Sequence, residues 1–211
     1  MSARDDVLAR IRTALGPDRS VPPEVLRDYR ITDDRPLPVL LDVLVDRIED
    51  YRATVVRCGP DEVGTTVQRL LAETLGEHDP ADVVLAPGLP ADWRPAGAVE
   101  DPHGPAVELA ARAAAVTGIA VAIAETGTLV LDGSPVSGRR ALSLLPDCLV
   151  CVVTPDQVVG NVPQALARLD PLRPLTMVSG PSATSDIELQ RVEGVHGPRT
   201  LLVVLVAAAP D

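Results

Sequence analysis

Aromatic side chains are nearly missing from this chain of 211 residues, which has no Phe, one Trp and two Tyr. Hydrophobic residues nevertheless make up 46% of the sequence, and almost all of them are Ala, Val, Leu and Ile. A core filled by aliphatic side chains is typical of buried parallel strands covered by helices. The length suits one large domain, or a domain with a small appendage.

Lysine is absent as well, so the 19 basic residues are all Arg, and 30 acidic residues outnumber them. The resulting formal net charge of −11 repels the phosphate backbone of nucleic acids. Beyond Arg139 and Arg140, no local basic patch offsets that charge. The composition therefore predicts a protein without a nucleic-acid partner.

Long apolar runs are also missing, since none reaches the roughly 18 residues that span a bilayer. The first 16 residues have the pattern of an amphipathic helix, with an apolar stripe formed by Val7, Leu8, Ile11 and Leu15. They lack the basic start and apolar centre of a secretory signal. We therefore expect a cytoplasmic protein with no membrane span.

Cysteine is scarce, and the three present, Cys58, Cys148 and Cys151, argue against a disulfide framework. Cys148 and Cys151 match C-x-x-C, but they lie in an apolar run that predicts a strand. Positions i and i+3 of a strand point to opposite faces, so these two thiols could not share a metal. An iron–sulfur cubane also needs four thiolates. The sequence predicts neither a metal nor a cofactor in this chain.

The hydrophobic pattern divides the chain into an N-terminal helix with a connector, residues 1–38, and an α/β domain, residues 39–211. Periodicity predicts helices over 38–51, 60–76, 104–117 and 155–169. It predicts strands over 53–57, 82–86, 118–124, 128–132, 149–153, 175–179 and 201–206. This alternation indicates an open, mostly parallel sheet with helices on both faces, a three-layer α/β fold. The two strands on either side of Gly127 predict a local antiparallel pair added to that sheet.

Polar clusters interrupt the apolar pattern at strand ends, where open α/β sheets bind ligands. The first is Glu125, which ends an apolar strand and is followed by Thr126, Gly127 and Thr128. A carboxylate in this place is either a functional acid, base or nucleophile, or a turn residue that faces water. We take Glu125 as the candidate catalytic group and the three residues after it as candidate ligand contacts.

A second cluster, residues 133–140, imitates the glycine spacing of a P-loop. Arg139 and Arg140 stand where that motif has Lys and Ser or Thr, and Pro135 has no amide to donate, so a nucleotide P-loop is rejected. The guanidinium of Arg139 could still bind a carboxylate or phosphate through two hydrogen bonds. Arg140 is interpreted as a solvated residue on an exposed turn.

The densest cluster lies at residues 178–188. Ser185 and Glu188 fit a helix capping box, which explains both without a ligand. The remaining hydroxyl groups, at the predicted start of a helix, would form a cradle for an anion. The candidate ligand contacts in this segment are Ser179, Gly180, Ser182, Thr184, Ser185 and Asp186.

The last cluster surrounds His196, which a tight loop with Gly194, Gly197 and Pro198 holds just before the final strand. An imidazole in such a loop can serve as an acid–base group or as a hydrogen-bond donor to an anion, or it can simply bind loop carbonyls. We take His196 as the second candidate catalytic residue. Gly197 and Arg199 complete the predicted site.

Five segments together, AETGTLVL, GRRALSLLP, VVTPDQVV, SGPSATSDIE and GVHGPRT, resemble the LUD-domain family of lactate utilization proteins. The resemblance is close from about residue 118 to residue 206. It implies a fold similar to the CoA-transferase and ribose-phosphate-isomerase group. It also implies a role in oxidising L-lactate to pyruvate together with two iron–sulfur partner proteins, which would carry the clusters.

Three functions follow as alternatives. The first is an accessory subunit that holds a small carboxylate in a pocket lined by Glu125, Ser182, Thr184, His196 and Arg199. The second is a stand-alone enzyme, similar to CoA-transferases or sugar-phosphate isomerases, that uses Glu125 as nucleophile or base. The third is a sensor of organic anions, which would need a DNA-binding element or partner.

Overall fold

The computed structural model describes residues 2–16, 26–185, 191–193 and 196–207. The chain divides into two compact units, Met1–Arg30 and Ile31–Asp211. The first unit contains helix α1 (Ala3–Leu15), which confirms the helix predicted there. A reciprocal capping box starts α1: the backbone amide of Asp5 donates to Ser2 Oγ, and the Asp5 carboxylate accepts from the Ser2 amide at 3.0 Å.

The second unit alternates strands with helices. Its helices are α2 (Leu37–Asp50), α3 (Val63–Leu75), α4 (Ala106–Ala110), α5 (Arg140–Leu144) and α6 (Val162–Arg168). Its strands are β1 (Thr54–Cys58), β2 (Val83–Leu85), β3 (Val99–Glu100), β4 (Ala114–Gly118), β5 (Val121–Ile123), β6 (Thr128–Leu131), β7 (Cys148–Val153), β8 (Val158–Val159), β9 (Thr176–Val178), β10 (Ala183–Ser185), β11 (Arg191–Glu193) and β12 (Thr200–Val206).

The main sheet has six parallel strands in the order β1-β12-β7-β4-β2-β3. α2 packs its buried Leu44 and Ile48 against one face, and α3 packs Val67 and Leu71 against the other. Side chains along each strand alternate between these two layers, as the period of two requires. The predicted α/β fold with helices on both faces is therefore confirmed.

The two cysteines of β7 follow this alternation. Cys148 belongs to the layer under α3, and Cys151 to the layer under α2. The prediction that these two thiols point to opposite faces is confirmed. Burial raises the pKa of each to about 12.

A second, four-stranded sheet has the order β8-β5-β6-β9. β5 pairs antiparallel with β6 and parallel with β8, and β9 pairs antiparallel with β6. One face, with Ala122 and Leu129, joins the core under α2, while the other, with Val121 and Val130, packs with Ala165 of α6. The antiparallel pair around Gly127 is confirmed, but its predicted place in the main sheet is wrong.

The predicted helix over 104–117 is wrong in its second half. α4 ends at Ala110, and β4 begins at Ala114 between β7 and β2. Ala114 and Ala115 face opposite layers of the core, and all of β4 is buried. A strand buried on both faces shows no polar alternation, so periodicity cannot distinguish its apolar run from a helix.

The predicted helix over 155–169 is also too long. Pro155–Gln157 is a 3₁₀ turn, β8 follows it, and α6 begins only after Asn161. Asn161 Oδ1 accepts the amide of Gln164 at 3.0 Å, and Gln164 Oε1 accepts the amide of Asn161 at 3.2 Å. This reciprocal cap fixes the start of α6.

Ser185, predicted to cap a helical turn, ends β10 and pairs with Arg191 of β11 in a separate antiparallel sheet. The turn predicted to follow it, with Asp186 and Glu188, lies outside the described residues.

The carboxyl edge of β2 and β4 is filled by the chain itself. The amide of Gly88 donates to Pro135 O at 2.8 Å, and the amide of Gly118 donates to Val136 O at 2.9 Å. A Cβ on Gly88 would lie 2.6 Å from Pro135 Cβ, and one on Gly118 would lie 2.6 Å from Val136 Cγ2. Residues 134–138 thus occupy the edge at which parallel sheets usually bind ligands.

Candidate functional site

Glu125 lies in a 3₁₀ turn, Ala124–Thr126, at the carboxyl end of β5. Its backbone amide donates to Gly160 O at 3.1 Å, and its side chain is exposed. Gly127 closes the turn with φ +60°, and a Cβ there would lie 2.9 Å from Arg47 Cβ of α2. Gly127 is therefore required by the left-handed backbone and by the close approach to α2.

The loop after β9 is fixed to the same helix. Gly180 has φ +80°, and a Cβ there would lie 2.5 Å from Cβ of Tyr51, the residue that follows α2. The structure thus gives Gly127 and Gly180, both predicted ligand contacts, a backbone role. Their turns lie side by side on the last part of α2.

A chain of three hydroxyl groups connects these two turns. Thr126 Oγ1 and Thr128 Oγ1 form a hydrogen bond of 2.7 Å, and Thr128 Oγ1 and Ser179 Oγ form one of 2.8 Å. Thr128 is buried, whereas Ser179 is exposed at the end of the chain. Each hydroxyl has one proton to donate, so the group that donates in one hydrogen bond must accept in the next, and the two bonds are coupled.

Ser179 also lines a cavity of about 250 Å³. Ser182 and His196 contribute to its polar wall, and its apolar wall includes Leu144, Leu149 and Leu201. The amide of His196 donates to Ser182 Oγ at 3.2 Å, and the amide of Ser182 donates to Pro198 O at 2.8 Å. These bonds hold the two polar loops together, and Gly197 lies in contact with Ser182.

The cavity lies at the amino ends of β7 and β12, since Leu149 and Leu201 are the second residues of those strands. This is the edge opposite to the one where open sheets usually bind ligands. Glu125 is not among the described residues that line the cavity. The cavity therefore does not bring His196 and Glu125 together, and the hydroxyl chain runs from Thr126, next to Glu125, to Ser179 in the cavity wall.

Arg139 is engaged away from this cavity. Its Nε and Nη2 donate to the Asp101 carboxylate at 2.6 and 3.0 Å, and Nη2 also donates to Gly104 O at 3.1 Å. Burial alone would raise the pKa of Asp101, but the Arg139 hydrogen bond and the amide of His103 lower it on balance. The two-point binding of a carboxylate predicted for Arg139 is realised within the protein.

Arg199 is also bound to a carboxylate of the chain. Its Nε lies 2.8 Å and its Nη2 2.5 Å from Asp147 oxygens, just before β7. This hydrogen bonding lowers the pKa of Asp147. Both arginines that the sequence suggested for a ligand thus make internal ion pairs.

Arg140, interpreted from the sequence as a solvated turn residue, is exposed but has a specific place. Its Nη2 donates to Leu175 O at 2.8 Å, and its Nε donates to Thr176 Oγ1 at 3.3 Å. Thr176 lines the cavity, so Arg140 lies at its border. No sequence motif pointed to this contact, because it joins elements 36 residues apart.

The remaining predicted contacts are less informative. Thr184 and Ser185 lie in β10, next to Ala183 of the cavity wall, and Asp186 lies outside the described residues. Within the described ranges, no three His, Cys, Asp or Glu side chains are grouped as a metal site would require. In the same ranges, no helix has the length and apolar character needed to cross a bilayer.

Comparisons with known proteins agree with the resemblance in the sequence. The family model of the LUD domain matches residues 41–206. The chain is 39% identical to Lactate utilization protein C of Deinococcus radiodurans over 97% of its own length and 95% of that protein. It is 26% identical to the protein of the same name from Bacillus pumilus, over 98% and 97% of the two chains.

One solved structure is similar as well. It is the crystal structure of a DUF162 family protein from Deinococcus radiodurans, with a TM-score of 0.68 and 35% sequence identity. The match covers 82% of this chain and 99% of that one.

Proposed function

The chain belongs to the LUD-domain family, and from this premise we propose that it acts in lactate utilization as a subunit that binds the small acids of L-lactate oxidation. The observation that carries the proposal is the cavity lined by Ser179, Ser182 and His196. Its hydroxyl and imidazole groups can donate to a carboxylate and to the oxygen on C2, which lactate and pyruvate share. Its volume of about 250 Å³ suits a three-carbon acid and is below the usual size of drug-like sites.

We propose iron–sulfur proteins as the partners of this subunit, as the resemblance to the family implies. Oxidation of lactate needs an electron acceptor, and Cys148 and Cys151 point to opposite faces of the sheet, so they cannot ligate one cluster together. The subunit would hold the acid, and the partners would carry the electrons.

Calorimetric titration of the full chain with L-lactate and pyruvate tests the proposal. We expect Ser182→Ala and His196→Ala to weaken binding about tenfold each, since each removes a donor or its support. His78→Ala is the matched control, because His78 is a half-buried histidine that hydrogen-bonds to Gly76 O and lies outside this cavity. Absence of binding by the unchanged chain, alone and with its cluster-bearing partners, would refute the proposal.

A stand-alone enzyme remains the second candidate because Glu125 is exposed at the carboxyl end of the parallel pair β5 and β8. There it could act as nucleophile on a CoA thioester or as base on a sugar phosphate. Turnover by the isolated chain, abolished in Glu125→Gln with an unchanged thermal midpoint, would favour this candidate. Binding of the acids without turnover would favour the first.

A further inference from the structure

The cavity that carries the proposed function has no acidic side chain in its described wall. Neither Asp nor Glu is among the described residues that line it, although the chain as a whole carries a formal net charge of −11. His196 is the one titratable side chain of this described lining. A carboxylate therefore enters the cavity without meeting a like charge on that wall, and a cation at the border would bind it.

The two arginines that the sequence suggested for a ligand cannot supply that cation, because Asp101 holds Arg139 and Asp147 holds Arg199 in ion pairs. Arg140 differs from both. Within the described ranges it forms no ion pair, so no carboxylate of those ranges balances its positive charge. Arg140 is also exposed, and a ligand can reach it.

The protein nevertheless holds the guanidinium of Arg140 in place. Nη2 donates to Leu175 O at 2.8 Å, and Nε donates to Thr176 Oγ1 at 3.3 Å. Both acceptors are neutral, so they orient the group without cancelling its charge. Nη1 has no acceptor among the described residues, and together with the second N–H of Nη2 it forms an edge that can bind a carboxylate through two hydrogen bonds.

Two elements place Arg140 at the border of the cavity. Thr176, which accepts from Nε, lies in β9 and lines the cavity. Ser143 and Leu144 of α5 line it as well, and they follow Arg140 by three and four residues, the spacing that puts side chains on one face of a helix. Ser143 Oγ donates to Arg140 O at 3.0 Å, which stabilises this turn of α5.

The same face of α5 reaches the polar loops of the cavity. A Cβ added to Gly197 would lie 3.8 Å from Leu144 Cδ2 and 3.6 Å from Ser182 Cβ, so Leu144 lies beside the loops that hold Ser182 and His196. Arg140 lies one helical turn before Leu144. The cavity thus has a cation at one border and hydroxyl and imidazole groups in its wall, which matches the two polar groups of a 2-hydroxy acid.

We propose that Arg140 binds the carboxylate of the acid in this cavity, while Ser182 and His196 bind the oxygen on C2. The assignment rests on the proposed function and adds the residue that selects an acid over its neutral analogues. The ligand class is a small 2-hydroxy or 2-oxo carboxylate. The open edge of the guanidinium binds both carboxylate oxygens, a geometry that Lys cannot reproduce.

Calorimetric titration of the full chain with L-lactate, pyruvate and the uncharged analogue lactamide tests this assignment. Arg140→Gln removes the charge but keeps an amide that can donate to Leu175 O. It should weaken binding of both acids by about tenfold or more, since a charge-assisted pair is lost, and should change lactamide binding by less than about twofold. Arg140→Lys keeps the charge without the planar edge, and its affinity for the acids should fall between.

Arg168→Gln is the matched control. Arg168 is also an exposed arginine that donates to a backbone carbonyl at 2.8 Å, that of Asp156, but it ends α6, and neither residue lines the cavity. Its affinity for the acids should equal that of the unchanged chain. Thermal midpoints of all variants identify any loss that comes from unfolding. Arg140→Met, a second neutral variant, takes the place of Arg140→Gln if the latter is unstable.

The outcomes separate this assignment from the function on which it rests. If Ser182→Ala and His196→Ala weaken the acids while Arg140→Gln and Arg140→Lys do not, the Arg140 assignment is overturned and the proposed function stands. If Arg140→Gln weakens lactamide as much as L-lactate, Arg140 does not recognise a carboxylate. If the unchanged chain binds neither acid, alone and with its cluster-bearing partners, both are overturned.

Discussion

Ser179 Oγ lies 2.8 Å from Thr128 Oγ1, and this hydrogen bond joins β6 to the loop after β9. Thr128 in turn binds Thr126 of the Glu125 turn at 2.7 Å. A single buried hydroxyl therefore hydrogen-bonds two others, one next to Glu125 and one in the cavity wall.

Thr128→Val should remove that hydroxyl without changing the shape of the side chain. We expect a loss of about 1 kcal/mol in the free energy of unfolding, because two partners lose a hydrogen bond. We also expect weaker binding of L-lactate, measured by calorimetry. Thr117→Val is the control: Thr117 is also buried, but among the described residues its hydroxyl contacts only a weak hydrogen-bonding group, Cys151 Sγ, at 3.7 Å. Equal ligand affinity in both variants would exclude a role for the hydroxyl chain.

Arg139→Ala should destabilise the protein by about 3 kcal/mol, since it leaves the buried carboxylate of Asp101 without its cation. The lower end of the usual range applies because Arg139 is 28% exposed. Urea unfolding at pH 7 measures the change. A loss below about 0.5 kcal/mol would show that the pair behaves as an exposed one.

The ion pair of Arg139 and Asp101 also makes the stability of the fold depend on pH. The folded pKa of Asp101 lies below its unfolded value of about 3.9, so its stabilisation is complete above that pH and is lost as the pH falls through the lowered pKa. Asp132 and Asp147 are shifted in the same direction. Unfolding measured between pH 6 and pH 3 should show a shallower acid slope in Asp101→Asn than in the unchanged chain.

The three cysteines should be unreactive in the folded protein. Cys58, Cys148 and Cys151 are buried, and burial raises the pKa of all three thiols, so little thiolate exists at pH 8. An aromatic disulfide reagent should report almost no thiol before denaturation and three afterwards. Rapid reaction of the native chain would contradict the burial of β7.

Gly127→Ala should destabilise the protein by about 2–3 kcal/mol. A left-handed backbone costs an alanine about 1 kcal/mol, and the added Cβ would also press on Arg47. Gly133→Ala separates the two causes, because Gly133 has φ +68° but only Pro174 Cγ, at 3.6 Å, near the added Cβ. We expect about 1 kcal/mol for that control in urea unfolding. Equal losses would mean that the contact with α2 is unimportant.

The sequence correctly predicted the features that follow from the alternation of side chains along a strand and from the chemistry of turn residues. Cys148 and Cys151 had to face opposite sides once their run was taken as a strand, and Gly127 had to separate two antiparallel strands. The helix predicted over 104–117 failed because β4 is enclosed on both faces, which removes the alternation that identifies a strand.

The site was harder to predict because its groups meet through long-range contacts. Arg139 finds Asp101 across 38 residues and Arg199 finds Asp147 across 52, and neither pairing leaves a local pattern. His196 was recognised because glycine and proline surround its loop, and Ser182 because it lies in a run of hydroxyl residues; the structure brings the two together.

The segment over Gly88 and Gly118 behaves as a ligand that the chain carries with it. A short tether gives such an occupant an effective concentration on the order of millimolar or more, and it never diffuses away. A free metabolite would have to compete with that tethered loop at every moment to enter between β2 and β4. This edge of the main sheet is thereby closed to free metabolites, so a ligand would have to bind elsewhere on the molecule.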